Sequence, residues 1–363
     1  MNYPHNVKNG EPAFFADFEY RFSESELLFM RHAPSSFVQM GNAEWWYDTH
    51  GFEEVSVSPE ALFRLDLRVN RKEAIFEFME PVTLELKLTN ISSKQLMVEK
   101  DLLLNTNSMF VIITRDGMAA RQFIPFARRD RDTPKEPLDP NKSLYESLFV
   151  SAGNNGWDLA EPGDYSVQVA LHYDGDYFLS NKLKIHVLPP RSVEEEHIAQ
   201  DFFSDEVGRV IFFDGSCFIE KANDVLRDVA ARLNKLKVAM HASVALGSAL
   251  SRDFKQLVIE DQKPDQRFRI KIRKGNLEES KKLLMPALID SSARAAESFG
   301  HIDYRWYVKG FVDYLAREGE KKEAVASQEV LFKTLLERRV GGRPILPEVL
   351  EEIKKSLQDI EGK

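Results

Sequence analysis

The sequence predicts an α+β chain in which an all-β part is followed by an all-α part. Short segments of alternating apolar and polar residues fill the stretch from residue 73 to residue 190, and the apolar period becomes helical after Pro189-Pro190. The 363 residues are 43% hydrophobic and 29% charged, which suffices for two or three folded domains. We therefore expect a β-sandwich over 73–190 and an α-helical domain over 191–363.

Strands are indicated first at residues 62–69 (LFRLDLRV) and 82–88 (VTLELKL), where every second side chain is apolar. Asp116-Gly117 and Asp174-Gly175 each lie between strand-like runs and predict tight turns. Residues 125–140 hold four prolines among mixed charges, which predicts a long exposed loop. Further apolar runs recur at a spacing typical of sandwiches, namely 109–114, 144–150, 165–173 and 183–188.

The run EPGDYSVQVA, residues 161–170, resembles the tyrosine corner of immunoglobulin-like and fibronectin type III-like sandwiches. The resemblance implies that Tyr165, at the start of a late strand, donates a hydrogen bond to the backbone upstream. It covers residues 73–190, about a third of the chain. The Cys pair and core Trp of antibody domains are missing from the sequence, and this fold hosts many unrelated functions, so the resemblance implies no specific activity.

Residues 1–72 are rich in aromatic residues, and we expect them either to extend the same sheets or to form a small β domain. Trp45, Trp46 and Tyr47 offer flat apolar area with polar edges, which makes them candidate binding residues, although a position in the core or at a domain interface is the explanation we favour. Arg128 and Arg129 are further binding candidates, because they lie in the predicted loop, and the alternative is a solvated loop.

The helical half is punctuated by capping signals. Ser192 with Glu195 and Asn276 with Glu279 have the spacing of capping boxes. Gly300 is placed as a helix terminator, and Asp303 as the N-cap of the next helix. Helices are predicted from Ser192 toward residue 203 and at 219–233, 238–256, 277–289, 291–299, 304–317, 320–338 and 348–360. Residues 266–274 (QRFRIKIRK) alternate and predict an exposed strand or β-ribbon.

Charge and cysteine usage limit the partners and the compartment. The formal net charge of −9 has the wrong sign for phosphate binding over the whole surface, so we expect no nucleic-acid partner. A single cysteine, Cys217, excludes an internal disulfide and fits a reducing compartment. The sequence shows no apolar run typical of a signal peptide or a membrane span, so we expect a soluble, cytoplasmic chain. Secretion by another route, or after removal of a leader, is the alternative.

The residues that could carry chemistry form no recognised motif. The eight histidines lack zinc-ligand spacing and no phosphate-binding loop is visible, so we expect neither a metal nor a cofactor. His241, His301 and Asp303 are the catalytic candidates, because a histidine beside a carboxylate can transfer protons. The competing explanation for Asp303 is its capping role, and for His241 it is tight packing in a helix of small residues.

Two classes of function follow. The first is a non-catalytic interaction or accessory protein that binds a protein or glycan partner through the sandwich and the helical surfaces. The second is a hydrolase, metal-dependent or not, with a site at the junction of the two parts that is built from His197, His241, His301 and Asp303. We rank the interaction protein first, because the sequence contains no compact catalytic motif.

Overall fold

The computed structural model of the chain describes residues 62–127, 134–260, 267–337 and 347–361. Within these ranges a β-rich N-terminal region is followed by a helical C-terminal region, as the sequence predicts. We call residues 62–190 the β region and residues 192–361 the helical region. Five predicted binding residues lie outside the described ranges: Trp45, Trp46, Tyr47, Arg128 and Arg129.

Three antiparallel strands form the first sheet of the β region. The central strand β3 (Thr83–Asn90) pairs with β1 (Phe63–Arg68) on one edge and with β8 (Ser143–Phe149) on the other. Leu65 lies opposite Leu88, so the apolar positions of β1 and β3 fall on the same face. The strand predicted at 62–69 therefore extends the sheet that contains the strand predicted at 82–88.

The second sheet is built around one long strand. Its members are β2 (Ile75–Phe76), β5 (Met109–Arg115), β6 (Arg121–Phe123), β11 (Gly163–Tyr173), β12 (Asp176–Leu179) and β13 (Leu183–Val187). The order is β2-β13-β11-β5-β6, and β12 pairs with the end of β11. Two short antiparallel pairs accompany the sheets: β4 (Leu96–Glu99) with β7 (Lys135–Leu138), and β9 (Ala152–Gly153) with β10 (Gly156–Trp157).

Both sheets contribute to one hydrophobic core. Leu84 and Leu86 of β3 and Val167 and Val169 of β11 are at most 1% exposed and belong to the same buried cluster. The hydroxyl of Tyr165 donates to the Glu161 carbonyl at 2.6 Å, which confirms the backbone hydrogen bond that the tyrosine-corner resemblance implies. The β11–β12 turn has positive φ at both central residues, Asp174 and Gly175, as a tight hairpin requires.

Eight α-helices lie in the described part of the helical region. They are α1 (Val193–Phe202), α2 (Asp205–Phe212), α3 (Glu220–Arg232), α4 (Lys237–Leu250), α5 (Leu277–Leu284), α6 (Ser292–Arg317), α7 (Lys321–Glu337) and α8 (Pro347–Glu361). Both predicted capping signals are confirmed, since the Ser192 and Asn276 side chains accept from the backbone N–H groups of Glu195 and Glu279. A π-helical turn (Met285–Asp290) joins α5 to α6.

Three expectations about elements are wrong. The helix predicted at 238–256 ends at Leu250, and the following residues form β14 (Phe254–Glu260), which pairs with β15 (Arg267–Arg273). This pairing confirms the ribbon predicted at 266–274. The residues of β14 (FKQLVIE) do not alternate strictly, so the strand depends on its pairing with β15. The loop predicted at 125–140 contains β7, where Pro137 is accommodated because a short edge pair tolerates a missing N–H.

Asp303 does not cap a helix. The chain kinks at Gly300, with φ 81° and ψ 170°, inside α6. The N–H of His301 at this kink donates to the Glu85 carboxylate of β3 at 2.5 Å, so a residue of the β region supplies the cap. Asp303 consequently lies within the first turn after the kink and its side chain is available for another role.

No helix of the described ranges has both the length and the apolar character needed to cross a bilayer.

Candidate functional site

A cleft of about 450 Å³ lies where the β region meets the helical region. Its walls come from β3, β5, β6 and β8 on one side and from α2, α4 and α6 on the other. Clefts of this size between packed units, with aromatic walls and few polar groups, are common ligand sites. The aromatic side chains that line it include Phe149, Phe212, Phe213, Phe299, Trp306 and Tyr307.

Asp214 is held at the cleft by the way α2 ends. Asp214 and Gly215 follow the helix with φ of 55° and 105°, a left-handed conformation that Asp and Gly tolerate. A Cβ at Gly215 would lie 2.1 Å from the Ala245 carbonyl oxygen, so only glycine permits this packing against α4. The Asp214 carboxylate accepts a hydrogen bond of 2.6 Å from the Tyr307 hydroxyl. Desolvation by the surrounding residues raises the pKa of Asp214.

Asp303 lies on the same face of α6 as Tyr307, one helical turn away. Its carboxyl group, which lines the cleft, accepts a hydrogen bond from Ser147 of β8. Burial raises the pKa of Asp303 to about 7, and the negative charges of Asp214, Glu146 and Glu85 add to the effect. Asp303 is therefore protonated in a large fraction of molecules near neutral pH.

His241 lines the cleft from α4 and is 5% exposed. Its Nε2 lies 2.9 Å from the Ser298 hydroxyl, which in turn donates to the Glu80 carboxylate at 2.6 Å. Glu80 also accepts from the Arg71 guanidinium at 2.7 Å. Because the single hydroxyl proton of Ser298 goes to Glu80, Nε2 of His241 must be the donor, and Nδ1 is left with a lone pair. Among the described residues Nδ1 has no hydrogen-bond partner.

The His241, Ser298 and Glu80 side chains do not form a nucleophilic triad. In such a triad the histidine takes the serine proton and the carboxylate holds the other ring nitrogen, whereas here the carboxylate binds the serine. Ser298 is also only 1% exposed, so no substrate reaches it. Burial, with the charges of Arg71 and Lys237, lowers the pKa of His241 to about 3, so the ring is neutral. The network fixes the ring and its tautomer.

The two other histidines proposed for a junction site lie outside the cleft lining. His301 is at the junction, but its Nδ1 is 3.0 Å from Glu85, so it is engaged with the carboxylate that caps the kinked helix. Burial alone would raise the pKa of Glu85, yet the hydrogen bonds and charge of His301, together with Arg68, outweigh it and lower that pKa to about 2. His197 is exposed on α1. Of the predicted residues, the structure thus brings only His241 and Asp303 into the cleft.

The described lining of the cleft is acidic and rich in acceptors. It contains the carboxyl groups of Glu146, Asp214 and Asp303, and no Lys or Arg among the described residues. The charge of Arg252 acts on Asp214 from the loop after α4. Within the described ranges, no three His, Cys, Asp or Glu side chains are close enough together to hold a metal ion.

A larger groove of about 990 Å³ runs over α3, α4 and α5 within the helical region. Small side chains such as Ala239 and Ala249 line it, and its charged rim residues Asp224 and Arg227 pair with each other. Cys217 also lines this groove and is partly exposed. We place the candidate site in the cleft between the two regions, because acceptors from both regions line it.

Comparison with known proteins leaves the chain without an assigned family. No family model matches it, and no curated protein matches it. Among solved structures, the chain is similar to a CARDB domain from Pyrococcus furiosus. The match spans 35% of this chain and 94% of the CARDB chain, with 8% identity and a TM-score of 0.21. A β-glucosidase from Listeria innocua covers 39% of this chain and 20% of its own, with 13% identity and a TM-score of 0.22.

A third similar structure is the alkylpurine DNA glycosylase AlkC of Pseudomonas fluorescens, bound to DNA with an abasic site analogue. It covers 50% of this chain and 44% of its own, with 11% identity and a TM-score of 0.23. This chain thus corresponds to less than half of the glycosylase and to a fifth of the glucosidase. At these TM-scores the resemblances carry no argument about function.

Proposed function

We propose that the chain is a non-catalytic interaction protein whose partner inserts a small group into the interdomain cleft. The observation that carries this proposal is that both regions contribute to one aromatic cleft with converging hydrogen-bond acceptors. An aromatic wall offers apolar contact area, and a few fixed polar groups orient what enters. A partner that binds there contacts residues of both regions at once.

The architecture that we propose for this role is an immunoglobulin-like sandwich over 73–190 joined to an α-helical domain over 191–363. The shared core of the two sheets and the tyrosine-corner hydrogen bond of Tyr165 support the sandwich. A volume of about 450 Å³ suits one long side chain of a protein partner or one or two sugar rings of a glycan. The predicted surface around Trp45 and Arg128 is a separate expectation of the same proposal.

Arrays of peptides and glycans probed with the full chain test the proposal. Ala127→Trp fills the cleft from its rim without removing a polar group, because Ala127 lines it. Ala119→Trp, at an exposed position after β5, is the matched control. We expect a ligand whose binding is lost in the first variant and retained in the second. Binding that survives both substitutions would place the partner elsewhere, and no binding to either array would contradict the proposal.

A hydrolase is the second candidate function, and the carboxyl pair favours it. Asp303, with a pKa of about 7, can donate a proton near neutral pH, and Asp214 beside it can act as a base or nucleophile once ionised. Glycoside hydrolysis uses such a pair of carboxyl groups with different proton affinities.

Chromogenic glycoside and ester substrates test the hydrolase function. Turnover that falls at least a hundredfold in Asp303→Asn and is kept in Asp313→Asn would support hydrolysis, and no turnover would leave the binding function alone.

A further inference from the structure

We infer that the group received by the cleft is an organic cation, an alkylammonium or a guanidinium, held by the carboxylates of Asp214 and Asp303 and by Nδ1 of His241. The inference rests on the proposed function, since it names the ligand chemistry of the same cleft. It favours a lysine or arginine side chain of a protein partner, or a free amine, over a neutral sugar.

The hydrogen-bonding capacity of the cleft is directional. The Asp214 side chain receives one hydrogen bond, from Tyr307, and a carboxylate can accept about four. Asp303 accepts a hydrogen bond from Ser147. His241 is only 5% exposed, yet its Nδ1 has no hydrogen-bond partner among the described residues. A ligand that supplies several donors therefore suits the cleft best, and an ammonium brings three while a guanidinium brings five.

The hydrogen-bond network of His241 fixes the preference of the cleft for a ligand that donates hydrogen bonds. Nε2 is committed to Ser298, which is committed to Glu80, so the imidazole cannot turn over or change tautomer without breaking two buried hydrogen bonds. Arg71 and Lys237 lie behind the ring and disfavour its protonation. Nδ1 is thus held as an acceptor on a residue that lines the cleft.

The aromatic walls add attraction for a positive charge. Phe213, which is 48% exposed, lines the cleft, whereas the ring of Trp306 already has the Arg305 and Lys309 cations at 5.8 and 5.6 Å from its centre. A cation over the Phe213 ring is attracted by its quadrupole, and the attraction is greatest when the cation is desolvated. A neutral sugar ring would gain the apolar contact but not the charge interaction with Asp214 and Asp303.

The affinity for a cation should rise with pH. Asp303 must lose its proton to hold a cation, and burial keeps its pKa near 7. The charged or titratable groups around the three ligand-holding residues are Glu85 on β3, Glu146 on β8, Tyr307 on α6, Arg252 after α4, Arg71 before β2 and Lys237 on α4. The carboxylates oppose ionisation of Asp303, and a bound cation would relieve this repulsion, so binding releases a proton.

Calorimetric titration of the full chain with matched probes tests the inference. Nα-acetyl-arginine methylamide carries the guanidinium, and Nα-acetyl-citrulline methylamide has the same shape without the charge. We expect the first to bind at least about tenfold more tightly at pH 8, a difference that one charge interaction supplies. n-Butylammonium distinguishes the sources, since it represents a free amine, and stronger binding of the arginine amide would indicate a protein side chain.

Variants locate the binding. Asp214→Asn and Asp303→Asn should each weaken the arginine probe at least about tenfold at pH 8. Asp313→Asn, an exposed position on the same helix, is the control and should leave the affinity unchanged. The wild-type affinity for the arginine probe should weaken from pH 8 to pH 6, and titrations in two buffers measure the proton that binding releases. Both the pH dependence and the proton release should be lost in Asp303→Asn.

The outcomes separate the inference from the function on which it rests. The inference that the ligand is a cation would be overturned if the citrulline probe bound as tightly as the arginine probe. It would also be overturned if Asp313→Asn weakened binding as much as Asp303→Asn. Glycan binding lost in Ala127→Trp, without cation binding, would retain the proposed function and reject the inference. Loss of both would reject both.

Discussion

At the scale of single residues, His241 is the side chain whose burial has the clearest thermodynamic result. Its pKa is lowered from 6.5 to about 3, first by burial and then by the charges of Arg71 and Lys237. Below pH 6.5 the unfolded chain binds a proton that the folded chain does not, so acidification favours unfolding. The contribution of His241 to the free energy of unfolding should fall by about 1.4 kcal/mol for each unit that the pH decreases below 6.5.

The measurement is urea unfolding at several values between pH 5 and pH 7.5. His241→Gln keeps an N–H for Ser298 but does not titrate, so it should lower the pH dependence of stability by nearly that amount. His197→Gln is the control, because it removes a histidine that is exposed on α1. Parallel pH profiles for the wild type and His241→Gln would show that the ring is not buried in this way.

Asp303 should behave in the opposite sense. Its pKa is raised from 3.8 to about 7, so the folded chain holds a proton that the unfolded chain has lost, and stability falls as pH rises from 3.8 to 7. Asp303→Asn should therefore stabilise the protein at pH 8 by up to about 4 kcal/mol, and by much less near pH 4. Chemical denaturation at the two pH values measures this. Asp313→Asn should change neither value, and a destabilised Asp303→Asn at pH 8 would contradict the assignment.

Stabilisation by Asp303→Asn together with loss of binding would be typical of a functional group that is kept at a cost in stability. Sequence reasoning could select His241 and Asp303 as candidates, because each has a distinctive local setting. It could not find Asp214 or Tyr307, since their roles depend on contacts between α2 and α6 and with β8. The only local signal for Asp214 was the Asp-Gly pair after an amphipathic helix.

At the scale of elements, the kink of α6 determines where the cleft residues point. Gly300 has φ 81° and ψ 170°, a combination that is essentially restricted to glycine. The added Cβ of Gly300→Ala would lie 3.1 Å from Oε1 of Glu85, the atom that caps the helix after the kink. We expect this variant to lose about 1–3 kcal/mol of stability, as measured by chemical denaturation.

Gly310→Ala provides the matched control for the kink. Gly310 lies in the same helix, and a Cβ there meets no atom within 4 Å. Alanine at an open helical position should stabilise the protein by about 0.5–1 kcal/mol, so the two substitutions should have opposite signs. Equal effects would mean that the special backbone of Gly300 is not required.

Elements with local signals were predictable, and those with distant partners were not. The capping residues Ser192 and Asn276 act within one helical turn, so their patterns identified two helix starts correctly. The cap at His301 comes from Glu85, which is more than 200 residues away, and this led to the wrong role for Asp303. The helix predicted at 238–256 runs past its observed end at Leu250 into the first residues of β14, because β14 is defined by its pairing with β15 and not by a local signal.

At the scale of the whole molecule, buried polar contacts join the two regions. Glu85 of the β region binds the backbone and ring of His301, and the Asn70 amide donates to the Ala296 carbonyl at 2.5 Å. The N–H of Lys237 donates to Glu77 at 2.7 Å. Separating the regions would leave these groups buried without partners or exposed, so we expect the regions to unfold together.

Glu85→Gln tests this coupling. The carboxylate is 6% exposed and its pKa is lowered from 4.5 to about 2, so its stabilisation is present above pH 4.5 and is lost as pH falls toward 2. At pH 7 the variant should lose about 3 kcal/mol of unfolding free energy, with a smaller loss near pH 3.

Helical circular dichroism and the fluorescence of the four tryptophans should follow one transition in both proteins. Trp157 reports on the junction, because its indole N–H donates to the Ser204 carbonyl across the two regions. Two separate transitions in the wild type would show that the regions are independent. A single transition that shifts equally at both pH values would instead show that the charge of Glu85 is unimportant.

The ribbon of β14 and β15 has a consequence for how the protein behaves in concentrated solution. It pairs with no third strand among the described residues, and Ile270 and Ile272 on it are 59% and 50% exposed. An open strand edge beside exposed isoleucines is a template for pairing between molecules. In the sequence from Arg267 to Lys274, cationic residues alternate with apolar ones, a pattern that opposes pairing between molecules through charge repulsion. Added salt screens that repulsion, so the chain should become more prone to aggregation as ionic strength increases.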